Sequence, residues 1–330
     1  MFNSQSYGKW KAMLAQLLPD NCSTRLLNMA YLIVGIFKTQ SVHLSVIARV
    51  LPIRAQKRSI TKRLERLMNN DAVVVQDWYD PWASWLIESA SVDGTLHLVI
   101  DTTKVSAYCR QIMIGVAYQR RTLPLMWDWV EHPRGHSTAE QQIALLRRLK
   151  AIIPDDVRVS LVGDSEFGST KVLELLKEWR WDYVLRQAGR LLYRTRCGDN
   201  WQRLDQIPIQ PGETICLTHV HLTQTGEVLT NVLIHWKRGE KQPWYLATNR
   251  ASAKTALHLY RRRMWIEEMF GDMKGHGFEL ELSRLRTPQR LSRLTLAVCI
   301  LYVWLVTMGE HVLVLFRRFK GDSVQRARDI

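Results

Sequence analysis

Residues 260 to 274 read YRRRMWIEEMFGDMK, and this stretch decides how the rest of the chain is interpreted. It contains no Pro, and its first Gly is Gly271, so it predicts a helix. Residues three, four and seven positions apart lie near one face of a helix. That spacing groups four side chains, namely Tyr260, Arg263, Glu267 and Lys274. A carboxylate beside two cations and a phenol suits metal and phosphate binding, whereas a solvated face with an ordinary ion pair is the alternative.

The pattern Y-x2-R-x3-E-x6-K resembles the signature helix of DDE transposases of the insertion-sequence-4 family. The neighbouring residues Trp265-Ile266-Glu267-Glu268 are similar to that family too, and the resemblance covers roughly residues 96 to 315. It implies that Glu267, rather than the adjacent Glu268, is the last acidic metal ligand of a three-carboxylate site. Two further acids are then expected upstream, on strands.

The composition favours a nucleic-acid partner. The 330 residues suffice for two or three structural units, and the net charge of +15 indicates a polyanionic partner. The N-terminus resembles no signal peptide, and the apolar run from Leu294 to Met308 is shorter than the roughly 20 residues that span a bilayer. We therefore expect that run to be a buried core helix and the protein to have no membrane partner.

The cysteines indicate a reducing compartment, because five scattered thiols predict no disulfide framework. We expect a cytoplasmic, nucleoid-associated bacterial protein. A zinc site is a weak alternative, since its candidate ligands lack the paired short spacings of structural zinc; they are Cys197, Cys216, His219 and His221.

Residues 1–90 predict a helical DNA-binding domain. A short apolar helix from Val42 to Leu51 ends before Pro52, and a second helix follows from Ser59 to Met68. This pair resembles a helix-turn-helix, in which cations meet DNA phosphates; a solvated basic helix is the alternative. The candidate DNA-binding cations are Lys57, Arg58, Lys62, Arg63 and Arg66.

Residues 91–189 predict the first part of an α/β core with a mixed sheet. Apolar strands end at Asp101 and Asp164, and the order is three strands, helix, strand, helix, strand. That order is the one of a ribonuclease-H-like core. Residues 190–250 predict a β-rich insertion, residues 251–285 return to the core with the signature helix, and residues 286–330 form a C-terminal helical region with long helices.

Asp101, Asp164 and Glu267 are the candidate catalytic residues and metal ligands. Asp101-Thr-Thr-Lys and Gly163-Asp164-Ser follow apolar strands as the first and second acids of the resembled family do. Clustered carboxylates repel unless a cation is bound, and hard oxygen ligands suit Mg²⁺. Two such ions, with Mn²⁺ as a possible substitute, could activate a water or a 3′-hydroxyl for phosphoryl transfer.

The remaining signature residues are expected to bind DNA. Arg263 and Lys274 can hold phosphates, and Tyr260 can donate its hydroxyl to one. In the resembled family these groups hold a flipped nucleotide, and Trp244 occupies the position of a Trp that supports the base; a buried strand Trp is equally consistent with the sequence. Glu166 is a candidate supporting residue, and His132 and His136 are expected to be surface or DNA-contacting groups.

The resemblance implies a cut-and-paste DNA transposase that acts on double-stranded transposon ends and target DNA. It also implies that cleavage proceeds by way of a DNA hairpin and that the protein works as a homodimer. A ribonuclease-H-like nuclease and a DNA-binding regulator that has lost catalysis are the alternatives. A serine hydrolase is disfavoured, because the Gly-Asp-Ser of residues 163–165 is followed by Phe167 where a nucleophile elbow requires Gly.

Overall fold

The computed structural model describes residues 4–106, 108–131, 135–196, 199–223, 226–275 and 277–326. The chain divides into two compact units. The helical unit comprises Met1–Tyr79 and Gly275–Ile330, and the sheet unit comprises Asp80–Lys274. The five-part division predicted from the sequence is finer than these two units and stays a prediction.

The helices are α1 (Ser4–Leu17), α2 (Ser23–Thr39), α3 (Leu44–Ile47), α4 (Lys57–Met68), α5 (Val75–Ala90), α6 (Ala139–Lys150), α7 (Thr170–Glu178), α8 (Ala253–Tyr260), α9 (Trp265–Met273) and α10 (Pro288–Arg326). The strands are β1 (Thr95–Lys104), β2 (Arg110–Tyr118), β3 (Arg121–Val130), β4 (Arg158–Gly163), β5 (Asp182–Gln187), β6 (Leu192–Arg194), β7 (Gln202–Arg203), β8 (Thr214–Thr223), β9 (Glu227–His235) and β10 (Trp244–Thr248). The prediction of a mixed α/β chain is confirmed.

Within the described residues, the ten strands form one mixed sheet in the order β3-β2-β1-β4-β5-β10-β9-β8-β6-β7. Strand β1 pairs antiparallel with β2 and parallel with β4, and β4 pairs parallel with β5. The element order β1-β2-β3-α6-β4-α7-β5 is the one predicted for the core. Since β10 pairs antiparallel with β5, the strands of residues 190–250 extend the core sheet.

Helix α6 opens with a capping box. Thr138 is the N-cap and Gln141 closes the box, so the preceding Ser137 is not the capping residue. The reason is that the Ser137 hydroxyl is already engaged, because it donates to Glu166 Oε1 over 2.6 Å.

The helical unit packs α10 against α2 and α4. The Trp304 ring lies 5.6 Å from that of Trp10 and 6.3 Å from that of Phe37, both between ring centroids. The predicted helix from Val42 to Leu51 is reduced to α3. The backbone N–H groups of Arg49 and Val50 donate to carbonyls three residues back, where an α-helix would use the fourth residue back, so these residues form turns.

Helix α10 is one continuous helix where several long helices were predicted. By length and composition its segment Pro288–Gly309 could cross a membrane, and 67% of the most apolar window is buried inside the protein. A buried core helix passes the same test, so this is weak evidence for a membrane span. Residues Leu294 and Leu296 through Val303 are almost fully buried, as predicted for a core helix.

A buried arginine ties α10 to the end of α4. Arg293 is 7% exposed, and its guanidinium donates to the carbonyls of Met68 (2.9 Å) and Val73 (3.2 Å) and to Asp71 Oδ1 (2.7 Å). The two carbonyls belong to the stretch that follows and ends α4, where backbone acceptors have no helical partner. Arg293 therefore satisfies these groups from a neighbouring helix.

We expect Arg293→Ala to destabilise the protein by about 2–4 kcal/mol, because two backbone carbonyls lose a charged donor. Denaturant unfolding followed by circular dichroism measures the change. Arg49→Ala, at an exposed position of the same unit, is the matched control and should change stability by less than about 0.5 kcal/mol. Equal stability of the two variants would contradict the structural role of Arg293.

Candidate active site

Asp101 and Asp164 lie side by side where the neighbouring strands β1 and β4 stop pairing with each other. The parallel pairing of β1 with β4 ends at Ile100 opposite Gly163, and the two aspartates are the next residues on each chain. Asp101 is not the last residue of its strand as predicted, because the pairing of β1 with β2 continues to Lys104. The carboxyl ends of two neighbouring parallel strands thus bring the two acids together.

Asp164 is held by the turn that it opens. It is the N-cap of a short 3₁₀ helix, Ser165–Phe167, and its Oδ1 accepts the N–H of Glu166 over 2.9 Å. Accepting this bond satisfies a donor at the helix start that has no partner within the helix. The orientation of the Asp164 carboxylate therefore depends on where the Glu166 backbone lies.

The stretch from residue 260 to 274 is helical but not one α-helix. Helix α8 ends at Tyr260, a 3₁₀ turn spans Arg261–Met264, and α9 runs from Trp265 to Met273. The prediction of an uninterrupted helix was wrong at this turn. A 3₁₀ helix has three residues per turn, so residues three apart, here Tyr260 and Arg263, lie on the same side.

Arg263 links two of the three predicted catalytic acids. Its Nη2 lies 2.8 Å from Asp101 Oδ2, and its Nη1 lies 3.1 Å from Glu267 Oε1. The Asp101 side chain is 5% exposed, whereas that of Glu267 is 48% exposed. The guanidinium therefore places a cation between a buried and a half-exposed carboxylate.

Burial raises the pKa of Asp101 to about 7, and the Arg263 guanidinium opposes this rise. The carboxylates of Asp164 and Glu267 act in the same direction as burial, because each disfavours a further negative charge nearby. Both other predicted acids thus act electrostatically on Asp101. One guanidinium does not fully compensate three carboxylates in this environment.

Lys274 contacts the same strand two residues beyond Asp101. Its Nζ donates to Thr103 Oγ1 over 2.7 Å, and Thr103 is buried. Side chains two residues apart on a strand point to the same face of the sheet. Asp101 and Thr103 therefore both face residues 260 to 274, where they contact Arg263 and Lys274. Sequence reasoning missed Thr103, because a Thr in a strand carries no signal of its own.

Tyr260 and Trp244 lie against each other beside the acids. Their ring centroids are 5.4 Å apart in an edge-on arrangement, and Trp244 is only half buried. Burial raises the pKa of the Tyr260 phenol, while the charges of Arg186 and Arg263 lower it. Arg186, on β5, is a second group that the sequence analysis missed. Trp244 therefore lies next to the signature residues that the resemblance groups with it.

Glu268 is exposed, and no hydrogen bond or ion pair is seen for it among the described residues. His136, 77% exposed, lies 3.3 Å from the buried Glu166 carboxylate and is a surface group. His132 lies outside the described residues, as does Cys197 of the weak zinc alternative. Another member of that set, His221, is paired with Glu227 instead.

The predicted DNA-binding cations of α4 belong to the helical unit. Lys57, Arg58, Lys62 and Arg66 are exposed. Arg63 is not free, because its Nε donates to Asn28 Oδ1 over 2.6 Å and its guanidinium lies 5.5 Å from the Tyr31 ring centroid. Arg63 therefore packs α4 against α2, and the other four cations form the exposed basic face of α4.

No group of three or more His, Cys, Asp or Glu side chains within the described residues is gathered closely enough to hold a metal ion as it stands. The donor set nevertheless fits a hard divalent cation. Asp101 and Asp164 provide adjacent carboxylates, and carboxylate oxygens are the ligands that hard divalent cations prefer. Glu267 could join them if Arg263 withdrew from between it and Asp101.

The family of the transposase DDE domain matches residues 87–304 of the chain. Among solved structures, the chain is similar to the cryo-EM structure of the piggyBac transposase synaptic complex with hairpin DNA. That likeness has 10% sequence identity and a TM-score of 0.44, and it covers 93% of this chain and 74% of that chain. A likeness at this level supports no functional conclusion. Comparison with curated proteins gives no match.

We expect Arg263→Gln to raise the pKa of Asp101 above about 7, by on the order of one unit or more, because the nearest opposing cation is removed. Titration of ¹³C-labelled aspartate carboxyls by NMR measures it. Arg261→Gln, at an exposed position two residues earlier, is the matched control and should leave the Asp101 pKa unchanged. A pKa that stays constant or falls in Arg263→Gln would contradict the ion pair.

Proposed function

Because the chain belongs to the transposase DDE domain family, we propose that it is a DNA transposase that cuts and joins DNA by metal-dependent phosphoryl transfer. One observation carries the proposal: within the matched residues, Asp101 and Asp164 are neighbours on adjacent parallel strands, and Glu267 is joined to Asp101 through Arg263. These are the acids that the sequence pattern singles out, and they come from positions far apart along the chain.

Transposase DDE domains generally use divalent metal ions, and Asp101, Asp164 and Glu267 are the residues that would hold them here. Mg²⁺, in two ions, is the proposed cofactor, with Mn²⁺ as a substitute. When bound, such ions supply Lewis-acid stabilisation of the phosphoryl group and its leaving oxygen. Every other contribution must come from the chain itself.

Arg263 and Lys274 are proposed to bind DNA phosphates next to the acids. Arg263 offers a planar fork of donors, and Lys274 a single charge now held by Thr103. Tyr260 and the half-exposed Trp244 would hold and stack against a base that leaves the duplex. The chain would thereby orient the scissile phosphate before any bond is broken.

The finer assignment is to a ribonuclease-H-like transposase of the insertion-sequence-4 type. The core element order and the Y-x2-R-x3-E-x6-K spacing support it. We further propose cut-and-paste transposition through a hairpin, with double-stranded transposon ends and target DNA as partners and a homodimer holding two ends. A cytoplasmic, nucleoid-associated location follows from this proposal.

The exposed basic face of α4, formed by Lys57, Arg58, Lys62 and Arg66, is proposed as a DNA-binding surface of the helical unit. The net charge of +15 supports a polyanionic partner. Arg63 stays a proposed member of this surface, although its Nε is already bonded to Asn28 of α2.

We expect Glu267→Gln to abolish cutting of a labelled DNA end in Mg²⁺ while leaving DNA binding intact, because the variant keeps its shape but loses a metal ligand. Gel analysis of cleaved, hairpin and strand-transfer products measures the loss. Glu268→Gln is the matched control on the adjacent exposed carboxylate and should cut like the wild type. Loss of cutting in the control alone would move the ligand to residue 268, and cutting without any joining would favour a nuclease.

The slope of log affinity against log salt is negative, and we expect Lys62→Gln/Arg66→Gln to bring it closer to zero by about 2, since each phosphate contact contributes about 0.9 to its magnitude. Fluorescence anisotropy with labelled duplex DNA at several salt concentrations measures it. Arg147→Gln/Arg148→Gln, at exposed basic positions in the last turn of α6, is the control with the same charge change. Equal slopes for the two double variants would exclude a specific role of α4.

A further inference from the structure

Glu166 carries a buried carboxylate that the proposed chemistry does not use. Its side chain is 4% exposed and accepts bonds from the Ser137 N–H (2.7 Å), Ser137 Oγ (2.6 Å) and Arg110 Nη2 (3.4 Å), and His136 Nδ1 lies 3.3 Å from it. Removing a carboxylate from water costs free energy, and hydrogen-bond donors and cations around the carboxylate offset that cost. Burial raises the pKa of Glu166, whereas the bonds from Ser137, the contact with His136 and the charge of Arg110 together bring it below its usual value.

The backbone of the same residue holds Asp164. The Glu166 N–H donates to Asp164 Oδ1 over 2.9 Å, and the Glu166 carbonyl accepts from the buried Gln142 Nε2 over 3.1 Å. Gln142 Nε2 also lies 2.8 Å from Ser137 Oγ. Side chain and backbone of Glu166 are thus fixed to the start of α6, and the Asp164 carboxylate is oriented from there.

Glu166 is not placed to bind a metal itself. Its Oε1 is taken by the two Ser137 donors, and its Oε2 faces Arg110 and His136. Arg110 is in turn fixed, because its Nη1 donates to the carbonyl of Gly135 over 2.7 Å. Among the described residues, Ser137 and Arg110 donate to the carboxylate, one on each oxygen, so a group that accepts on both oxygens fits here.

We propose that Glu166 is a positioning residue for Asp164, holding that carboxylate in the orientation with which it binds a divalent metal ion. The inference rests on the proposed function, because it assumes that Asp164 is a metal ligand. Groups that orient a metal ligand affect the metal affinity of the site as well as the reaction rate. The effect of Glu166 on metal affinity can therefore be measured without any DNA reaction.

The test titrates Mn²⁺ into the full chain and counts free Mn²⁺ by electron paramagnetic resonance. Glu166→Gln keeps the volume and one acceptor but turns an amide N–H₂ toward donors. We expect it to weaken Mn²⁺ binding about 10- to 100-fold while melting temperature and DNA binding in EDTA stay unchanged. His136→Ala, which removes the exposed neighbour, is the control and should bind Mn²⁺ as the wild type does. Unchanged Mn²⁺ binding in Glu166→Gln overturns the inference.

Asp164→Asn separates this inference from the proposed function. If Asp164→Asn keeps Mn²⁺ binding, the proposed metal site is wrong. If Asp164→Asn loses Mn²⁺ binding and Glu166→Gln does not, only the positioning role of Glu166 is wrong.

Should Glu166→Gln fail to fold, Ser137→Ala replaces it in the test. We expect Ser137→Ala to weaken Mn²⁺ binding severalfold, and Mn²⁺ binding like that of the wild type overturns the inference. If Glu166→Gln folds, adding Ser137→Ala to it should weaken binding no further, because both act through one contact, and additive losses count against the proposal.

Discussion

The parallel pairing of β1 with β4 is the constraint on which the site depends. It sets Ile100 opposite Gly163, so that Asp101 and Asp164 follow as neighbours. The close approach requires glycine at 163, since a Cβ there would lie 2.8 Å from Ile100 Cγ2 and 3.3 Å from the Ile100 carbonyl oxygen. A bulkier residue would push the two strands apart and with them the two acids. Backbone packing, rather than any attraction between carboxylates, therefore holds the acids together.

Electrostatics then determine what the acids can bind. Two neighbouring carboxylates and a third across the site repel one another, and Arg263 supplies a cation between Asp101 and Glu267. A guanidinium has a fixed reach and directional donors, whereas a divalent ion concentrates twice the charge at one point. In the proposed function, a DNA phosphate and the two acids would compete for Arg263, because one guanidinium cannot pair with all three at once.

Much of this arrangement could be predicted from the sequence, because strand ends and helical spacing are local signals. The neighbouring positions of Asp101 and Asp164 follow from apolar strands that lead to acids, and the resemblance singled out Arg263. What could not be predicted depends on contacts between distant residues. The 3₁₀ turn before α9, the Thr103 partner of Lys274 and the donors around Glu166 come from tertiary packing, which side-chain periodicity does not encode. The roles of the acids and of the α4 cations remain predictions.

The helical unit is built from two pieces of chain separated by the entire sheet unit. During synthesis, α2 and α4 leave the ribosome long before α10, whose Trp304 and Arg293 they contact. Asp80–Lys274 is contiguous and can collapse as soon as it emerges, whereas the first helices must wait with an apolar face uncovered. Nascent chains would therefore be most exposed to aggregation and to chaperones in that interval, and the helical unit would be completed after the sheet unit.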